Sequence, residues 1–553
     1  MKHVLSSLFM VLCAMSLQAQ PVFDWLQTLS ATETTKAQTN IQFVAHYADG
    51  SALVFGNYGS LSASDAGVLD GQYFSGAEYG TASGYNKNFL LAKLDNAGKL
   101  LWAVHSEDGD VNDSQSAVAP TKDGGAVMAL KFRHSDHNKQ DGVTAPLYRI
   151  VDAGGKAFSH DLEYPGAWVN QPVLVRVDKN GNITIVKDMW CSTEQAAKGD
   201  GLTTDAFSWA AAVESEDGNI ILAGSQSLNM GIDDKTITAR PQPEWDGTTT
   251  NARYNGFVLK LDKDLKYVAH IISSGDVQTD KPSCVAYRNG KLYFSCLAKA
   301  EESAMLALGG KSANVKELSM VNACLTDNLD VEWLAATPIV RYNDRQGNLL
   351  YQTLLSQDGK ELYVTGGIQG AVELGGQTIH SGGEELSTMN DGYLFAISTE
   401  DGSLKKATVM GNKTLNLNHG VVETNDSLYV YNYQFGTISQ VAYGRDFKRG
   451  VTTVLATGGG SSTIVYASAV KGQVLLALRS KGGQDFKVFG NTVNIAGMWF
   501  NTLVAFHLND EKPEGVETVQ TQDAKQGRRK VFRNGQIIII RDNKEYSILG
   551  QEK

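Results

Sequence analysis

One two-part pattern returns along the whole chain, and a recurring unit limits the fold more than any composition does. The first part is a hairpin: alternating apolar residues, a polar turn of Asp, Asn or Gly, then a strand that often ends in Gly. It occurs at Phe43–Gly56 (turn Asp49-Gly50), Ala117–Leu130 (Asp123-Gly124), Ala210–Gly224 (Asp217-Gly218) and Cys284–Cys296 (Asn289-Gly290). It returns at Gln352–Gly366 (Asp358-Gly359), Val421–Tyr433 (Asn425-Asp426) and Val465–Leu478 (Lys471-Gly472). The second part is an apolar strand, a short turn and a further strand. It follows at Phe89–Val104, Val173–Val186, Phe257–Ile271, Val321–Ala335, Tyr393–Val409, Ile438–Leu455 and Thr502–Leu508, where the last copy stops after one strand. Lys93-Leu94-Asp95, Arg176-Val177-Asp178 and Lys260-Leu261-Asp262 mark the best-matched copies.

Alternation with period two makes half-buried antiparallel strands. Asp-Gly and Asn-Gly favour two-residue hairpin loops, because both central residues tolerate positive φ. Two such halves make a four-stranded sheet, which cannot bury both of its faces alone. Radial stacking of neighbours buries them, and closing the ring protects the edges. The sequence therefore predicts an all-β, seven-bladed β-propeller over residues 20–510. Asp24-Trp25-Leu26 resembles Leu101-Trp102-Ala103 of the first full copy, so the N-terminal strand is expected to complete the truncated last blade and latch the ring. A row of separate β-sandwich domains fits regular strands and turns too. It gives no account of the single-strand ending and its matching N-terminal strand.

Residues 1–19 read as a signal peptide: Lys2 and His3, an apolar run Val4–Leu17, and cleavage after Ala19. Cys13 follows Leu12, too large a residue to precede a lipidated cysteine. No later apolar run approaches the ~20 residues of a membrane-spanning helix. A net charge of −11 speaks against nucleic acid and anionic membranes as partners. Export permits disulfides. Cys284 and Cys296 are expected on neighbouring strands with Cys324 on the next, either as buried thiols or with a Cys296–Cys324 bridge.

Motifs for chemistry are sparse. The sequence contains neither a Gly-x-Ser-x-Gly elbow nor a His-Glu-x-x-His motif. Gly458–Ser462 is Gly-rich without the Lys of a phosphate loop. His134, Asp136 and His137 offer metal ligands in a polar loop, where solvation is the simpler reading. Glu107, Asp108, Asp110, Asn112 and Asp113 cluster as oxygen ligands for calcium, with Asp108, Asp110 and Asp113 the candidate ligands, though their spacing departs from the twelve-residue calcium loop. No other cofactor is expected. Tyr73, Trp168, Trp190, Trp245 and Trp499 lie in or beside loops, where they suit sugar stacking or ordinary packing.

Lys93-Leu94-Asp95-Asn96-Ala97-Gly98-Lys99-Leu100-Leu101-Trp102, Asp123-Gly124-Gly125 and Leu374-Gly375-Gly376-Gln377-Thr378-Ile379 resemble exported bacterial propellers of the seven-bladed repeat type. The first phrase also resembles the tryptophan repeat of quinoprotein dehydrogenases, which implies fold; no quinone site is carried over. Residues 511–529 read as a linker, and 530–553 as a β-hairpin tail. The tail is similar to Bacteroidetes type IX secretion sorting tails through Asn534-Gly535-Gln536 and Tyr546-x-x-Leu549-Gly550. That resemblance implies contact with export machinery and delivery to the cell surface or medium, with the periplasm as the alternative. The function expected is a non-enzymatic binding or scaffold module for a protein or glycan. The alternatives are a glycan hydrolase or lyase on the same scaffold and a structural envelope component.

Overall fold

The computed structural model describes residues 21–31, 38–59, 67–74, 88–111, 116–134, 146–161, 169–192, 207–240, 254–277, 279–341, 349–382, 390–411, 414–425, 427–459, 463–493, 495, 499–508, 528–533, 536–541 and 544–547. Among them are strands, turns and bends and no helix, so the chain is all-β, and no helix there is long and apolar enough to cross a membrane. The chain divides into two compact units, Met1–Glu511 and Lys512–Lys553.

In the first unit, most strands pair antiparallel with near neighbours in the chain; Gln38 and Trp499 make a parallel bridge. Phe207–Glu214, Ile220–Gln226, Asn255–Leu261 and Tyr267–Ile272 form one four-stranded sheet; Leu349–Leu355, Glu361–Ile368, Asp391–Ser398 and Leu404–Val409 form another. Every first-part hairpin read from the sequence falls on a pair of antiparallel strands. Trp499–His507, the last strand of the repeats, pairs with Gln473–Lys481 on one side and with the N-terminal strand Val22–Ala31 on the other, with Leu26 opposite Val504.

The middle strands are covered on both faces, as stacking of neighbouring sheets was expected to do. Asn88–Leu94, Ile220–Gln226, Asn255–Leu261 and Asp391–Ser398 are buried at every residue. The reason is packing on both faces. One apolar cluster joins Phe55 and Leu91 to Met128 and Val175 of the following sheet. Another joins Ala129 and Leu174 to Leu222 and Leu259. A third joins Val54 and Leu90 to Leu475 and Leu503, near opposite ends of the unit.

The Asp-Gly turns differ from expectation. At Asp49-Gly50 the Tyr47 amide donates to the Ser51 carbonyl (2.8 Å) and Gly50 to Tyr47 (3.0 Å), a three-residue loop in which Gly50 alone takes positive φ (92°). Asp49 Oδ1 accepts the Ser51 amide at 2.9 Å, which satisfies the turn without left-handed backbone at Asp49. Asp123 and Asp217 repeat this arrangement toward Gly125 and Asn219. Two-residue loops do occur at Asn289-Gly290 and Lys471-Gly472, where both residues have positive φ.

The repeat motifs have a structural reason. The Trp25, Trp102 and Trp333 indoles donate to the carbonyls of Asn96 (3.0 Å), Lys179 (2.8 Å) and Thr399 (2.8 Å), each in the last turn of another repeat. Gly98, Gly181 and Gly402 in those turns lie against the indoles, where an added Cβ would come within 2.6, 2.9 and 2.7 Å of the rings. The Lys of Lys-Leu-Asp is buried and reaches across as well. Lys93 Nζ donates to the Gly124 carbonyl (2.9 Å), and Lys260 Nζ to that of Asp327 (2.7 Å).

In the second unit, Arg528–Arg533, Gln536–Arg541 and Lys544–Ser547 form a three-stranded antiparallel sheet. The tail was expected as a single hairpin. Asn534-Gly535, itself a hairpin dipeptide, separates two of its strands.

Candidate functional site

The first strands of the repeats approach one another side by side. Gln38–His46 touches Ala117–Pro120, which touches Phe207–Glu214; contacts continue through Thr279–Arg288, Leu349–Leu355 and Leu417–Glu423 to Thr463–Val470, which touches Gln38–His46. Between them lies a cavity of about 550 Å³ to which all seven strands contribute lining residues. Its lining extends to Pro120, Glu214, Tyr287 and Glu423, next to the hairpin turns. That volume falls within the range of small-molecule sites, about 300–1,000 Å³.

The wall is uneven. Phe43, Tyr351 and Tyr466 line one arc, and Phe43 and Tyr466 meet at 5.2 Å between ring centroids. Ala117, Ala210, Ala211 and Cys284 line the other. Tyr351 stacks on His419 with centroids 4.0 Å apart and planes at 24°. His419 is buried, and both its ring nitrogens lack a hydrogen-bond partner among the described residues. Burial lowers its pKa to about 3, so it is neutral, and raises the Tyr351 phenol and the Cys284 thiol to about 12, so both stay protonated at neutral pH.

Side chains stitch the rim. Gln352 Oε1 accepts the Val421 amide (2.9 Å), and its Nε2 lies 3.5 Å from the Ala467 carbonyl. The His46 amide donates to Ser468 Oγ at 3.2 Å. Glu214 accepts the Lys122 amide and Glu423 the Gln357 amide, both at 2.5 Å, and Glu423 also pairs with Arg445. Glu214 and Glu423 are the charged side chains of the lining, which among the described residues contains no Lys, Arg or His.

Among the described residues, the calcium, metal and loop-aromatic candidates read from sequence do not line this cavity, whereas Cys284 does. Of the calcium candidates, Asp108 and Asp110 lie on strand backbone and Asp113 lies outside the described residues. Glu107 is engaged with Arg149 at 2.7 Å. Among the described residues no group of three or more His, Cys, Asp or Glu could hold a metal. His134 ends a strand, and Asp136 and His137 lie outside the described residues, as do Ala19, Trp168, Trp245, Gly535, Leu549 and Gly550. Gln536 and Tyr546 fall on strands of the second unit. Tyr73 and Trp190 are exposed, and Trp190 lies over Gly231; Trp499 is capped by Arg479 at 4.7 Å. Cys284 and Cys296 occupy neighbouring strands with Cys324 on the next, and all three are buried. The Cys324 Sγ lies 3.4 Å from Glu332 Oε2. Sequence reading did not name the lining residues, because they are mostly Ala, Val and Gln and carry no motif.

No protein-family model matches the chain, and no curated protein matches it. Solved structures to which it is similar include the β-propeller domain of the Trilobed protease from Pyrococcus furiosus, described as having an open velcro topology. That match has 8% identity, covers 84% of this chain and 96% of the other, and has a TM-score of 0.36. A protein of unknown function from Bacteroides caccae matches at 9% identity over 67% of this chain and 91% of the other, TM-score 0.30. The dihydro-heme d1 dehydrogenase NirN matches at 10% identity over 79% and 74%, TM-score 0.29.

Proposed function

We propose that the chain is an exported seven-bladed β-propeller, latched by its N-terminal strand, that serves as a binding module and takes its ligand in the axial cavity. The observation that carries this reading is one cavity lined by all seven first strands. The ladder between Val22–Ala31 and Trp499–His507 supports the latch, as does the apolar cluster joining Leu90 to Leu503. Export rests on the sequence: a signal cut after Ala19, and a tail similar to type IX sorting signals that directs the protein to the cell surface. We take the module to bind a protein or a glycan without catalysis; this is supported by a lining whose two carboxylates, Glu214 and Glu423, each accept a backbone amide.

The test fills the cavity. Ala211→Trp places an indole in the lining, and its folding is checked by an unchanged melting temperature. The wild type is screened on a glycan array and a peptide library, and the hits are repeated with the variant. Hits lost by the variant support axial binding; hits retained in full overturn it. Export is tested separately by sequencing the N-terminus of protein recovered outside the cytoplasm. It should begin at Gln20, and an intact Lys2 there would refute the signal.

A further inference from the structure

The side chains that line the axial cavity restrict the chemistry of its ligand. We infer that the cavity accepts a short neutral saccharide, stacked on the arc formed by Phe43, Tyr351 and Tyr466; this assignment rests on the axial-binding reading.

Charge restricts the ligand on both sides. An anionic group entering the cavity would meet no Lys, Arg or His among the described lining residues, only the carboxylates of Glu214 and Glu423. Losing hydration without gaining a counter-charge is costly. A cationic group fares little better. Glu423 already pairs with Arg445, and each carboxylate accepts a turn amide. Both also stand at the turn ends of their strands, away from the rings.

Shape narrows the choice further. The aromatic side chains come from Gln38–His46, Leu349–Leu355 and Thr463–Val470, and the small ones from Ala117–Pro120, Phe207–Glu214 and Thr279–Arg288. The cavity therefore has aromatic side chains on one side and small ones on the other. A sugar ring has an apolar face of C–H groups and a polar edge of hydroxyls, and matches such a slot. Tyr combines an apolar body with a polar tip, which suits it to such a surface.

The same arc disfavours an extended peptide. A peptide binding as an added strand needs free main-chain groups along a strand edge. Here Gln352 takes the Val421 amide and lies by the Ala467 carbonyl, and Ser468 takes the His46 amide. Side chains thus already hold backbone groups on three of the strands that flank the rings.

The experiment is calorimetric titration of the full exported chain with maltotetraose, cellotetraose, xylotetraose, mannotetraose and chitotetraose, with tetragalacturonate as the anionic counterpart. At least one neutral tetrasaccharide should bind. Tyr351→Ala and Tyr466→Ala should each weaken it about tenfold or more, while Phe435→Ala, at an exposed turn, leaves it unchanged. Melting temperatures of the Tyr variants within a few degrees of wild type show that lost binding is not lost folding. Should either fail that check, Tyr351→Phe and Tyr466→Phe, which keep the rings, should still bind. Binding of tetragalacturonate alone, or of no neutral tetrasaccharide at millimolar concentration, overturns the assignment. So does neutral binding indifferent to both Tyr substitutions. If library peptides bind instead and are lost in Ala211→Trp, the axial module stands and the saccharide assignment falls.

Discussion

The indole of Trp25 lies on Gly98 and donates to the Asn96 carbonyl at 3.0 Å, so a residue near the N-terminus closes over the last turn of the first repeat. Trp102 on Gly181 and Trp333 on Gly402 make the same contact between successive repeats. The N-terminal strand therefore uses the same fastening as the repeats themselves. Its tie is reinforced by Asp24, whose Oδ2 accepts from Gln473 Nε2 at 3.1 Å and lies 2.5 Å from His507 Nδ1.

Trp25→Ala should therefore destabilise the first unit by about 3 kcal/mol or more, in the range of large-to-small aromatic substitutions. Trp102→Ala and Trp333→Ala should cost similar amounts. Gly98→Ala should also destabilise, because its φ of 82° is unfavourable to a side chain and the new Cβ would meet the Trp25 ring. Denaturant midpoints measure all four. A Trp25→Ala protein as stable as wild type would show that the N-terminal strand is dispensable.

Lys260→Met should cost about 2 kcal/mol, the scale of a charge-assisted hydrogen bond. The buried ammonium donates to the Asp327 carbonyl and lies 3.6 Å from Asp217 Oδ2, so its loss unties two repeats at once. Lys263→Met, in the turn that follows and paired with exposed Asp264, should be neutral within a few tenths of a kcal/mol. Urea unfolding of the two variants distinguishes them.

Acid should weaken the fold before carboxylates protonate. Burial depresses His419 to about 3 and His46 to about 4, against 6.5 for a free imidazole. The unfolded chain therefore binds protons below about pH 6.5 that the folded chain refuses until about pH 3–4. Stability from these groups is complete above pH 6.5 and falls as pH drops through that window, by about 1.4 kcal/mol per pH unit for each imidazole. His419→Phe should flatten the stability profile between pH 6.5 and 4; an unchanged slope would refute the assignment to His419.

Truncation after Glu511 should leave the denaturant midpoint of the first unit unchanged, because Lys512–Lys553 is a separate compact unit. The truncated protein should also fail to reach the cell surface, read by surface proteolysis of intact cells. Surface display at wild-type levels would remove the sorting role of the tail.

Much of the strand pattern was legible because turn chemistry and apolar runs are local. Asp49-Gly50 and Asn289-Gly290 mark hairpins because their glycines take the positive φ that the turns require. Even so, local chemistry misjudged the loop at Asp49-Gly50, where the Asp side chain caps the turn and moves the left-handed residue to Gly50 alone. Full burial of strands such as Asn88–Leu94 comes from the neighbours that cover both of their faces.

What the amino-acid order determined by itself was the existence of the repeated hairpins, their all-β character and the kinship of Trp25 with Trp102. Tertiary structure decided what those residues touch: which glycine receives each indole, which carbonyl receives Lys260, and which side chains of distant strands share a cavity. The cause is physical. Hydrogen-bonded turns depend on neighbours in sequence, whereas the cavity arises only where strands hundreds of residues apart meet, and Phe43 and Tyr466 acquire a common wall from that meeting alone.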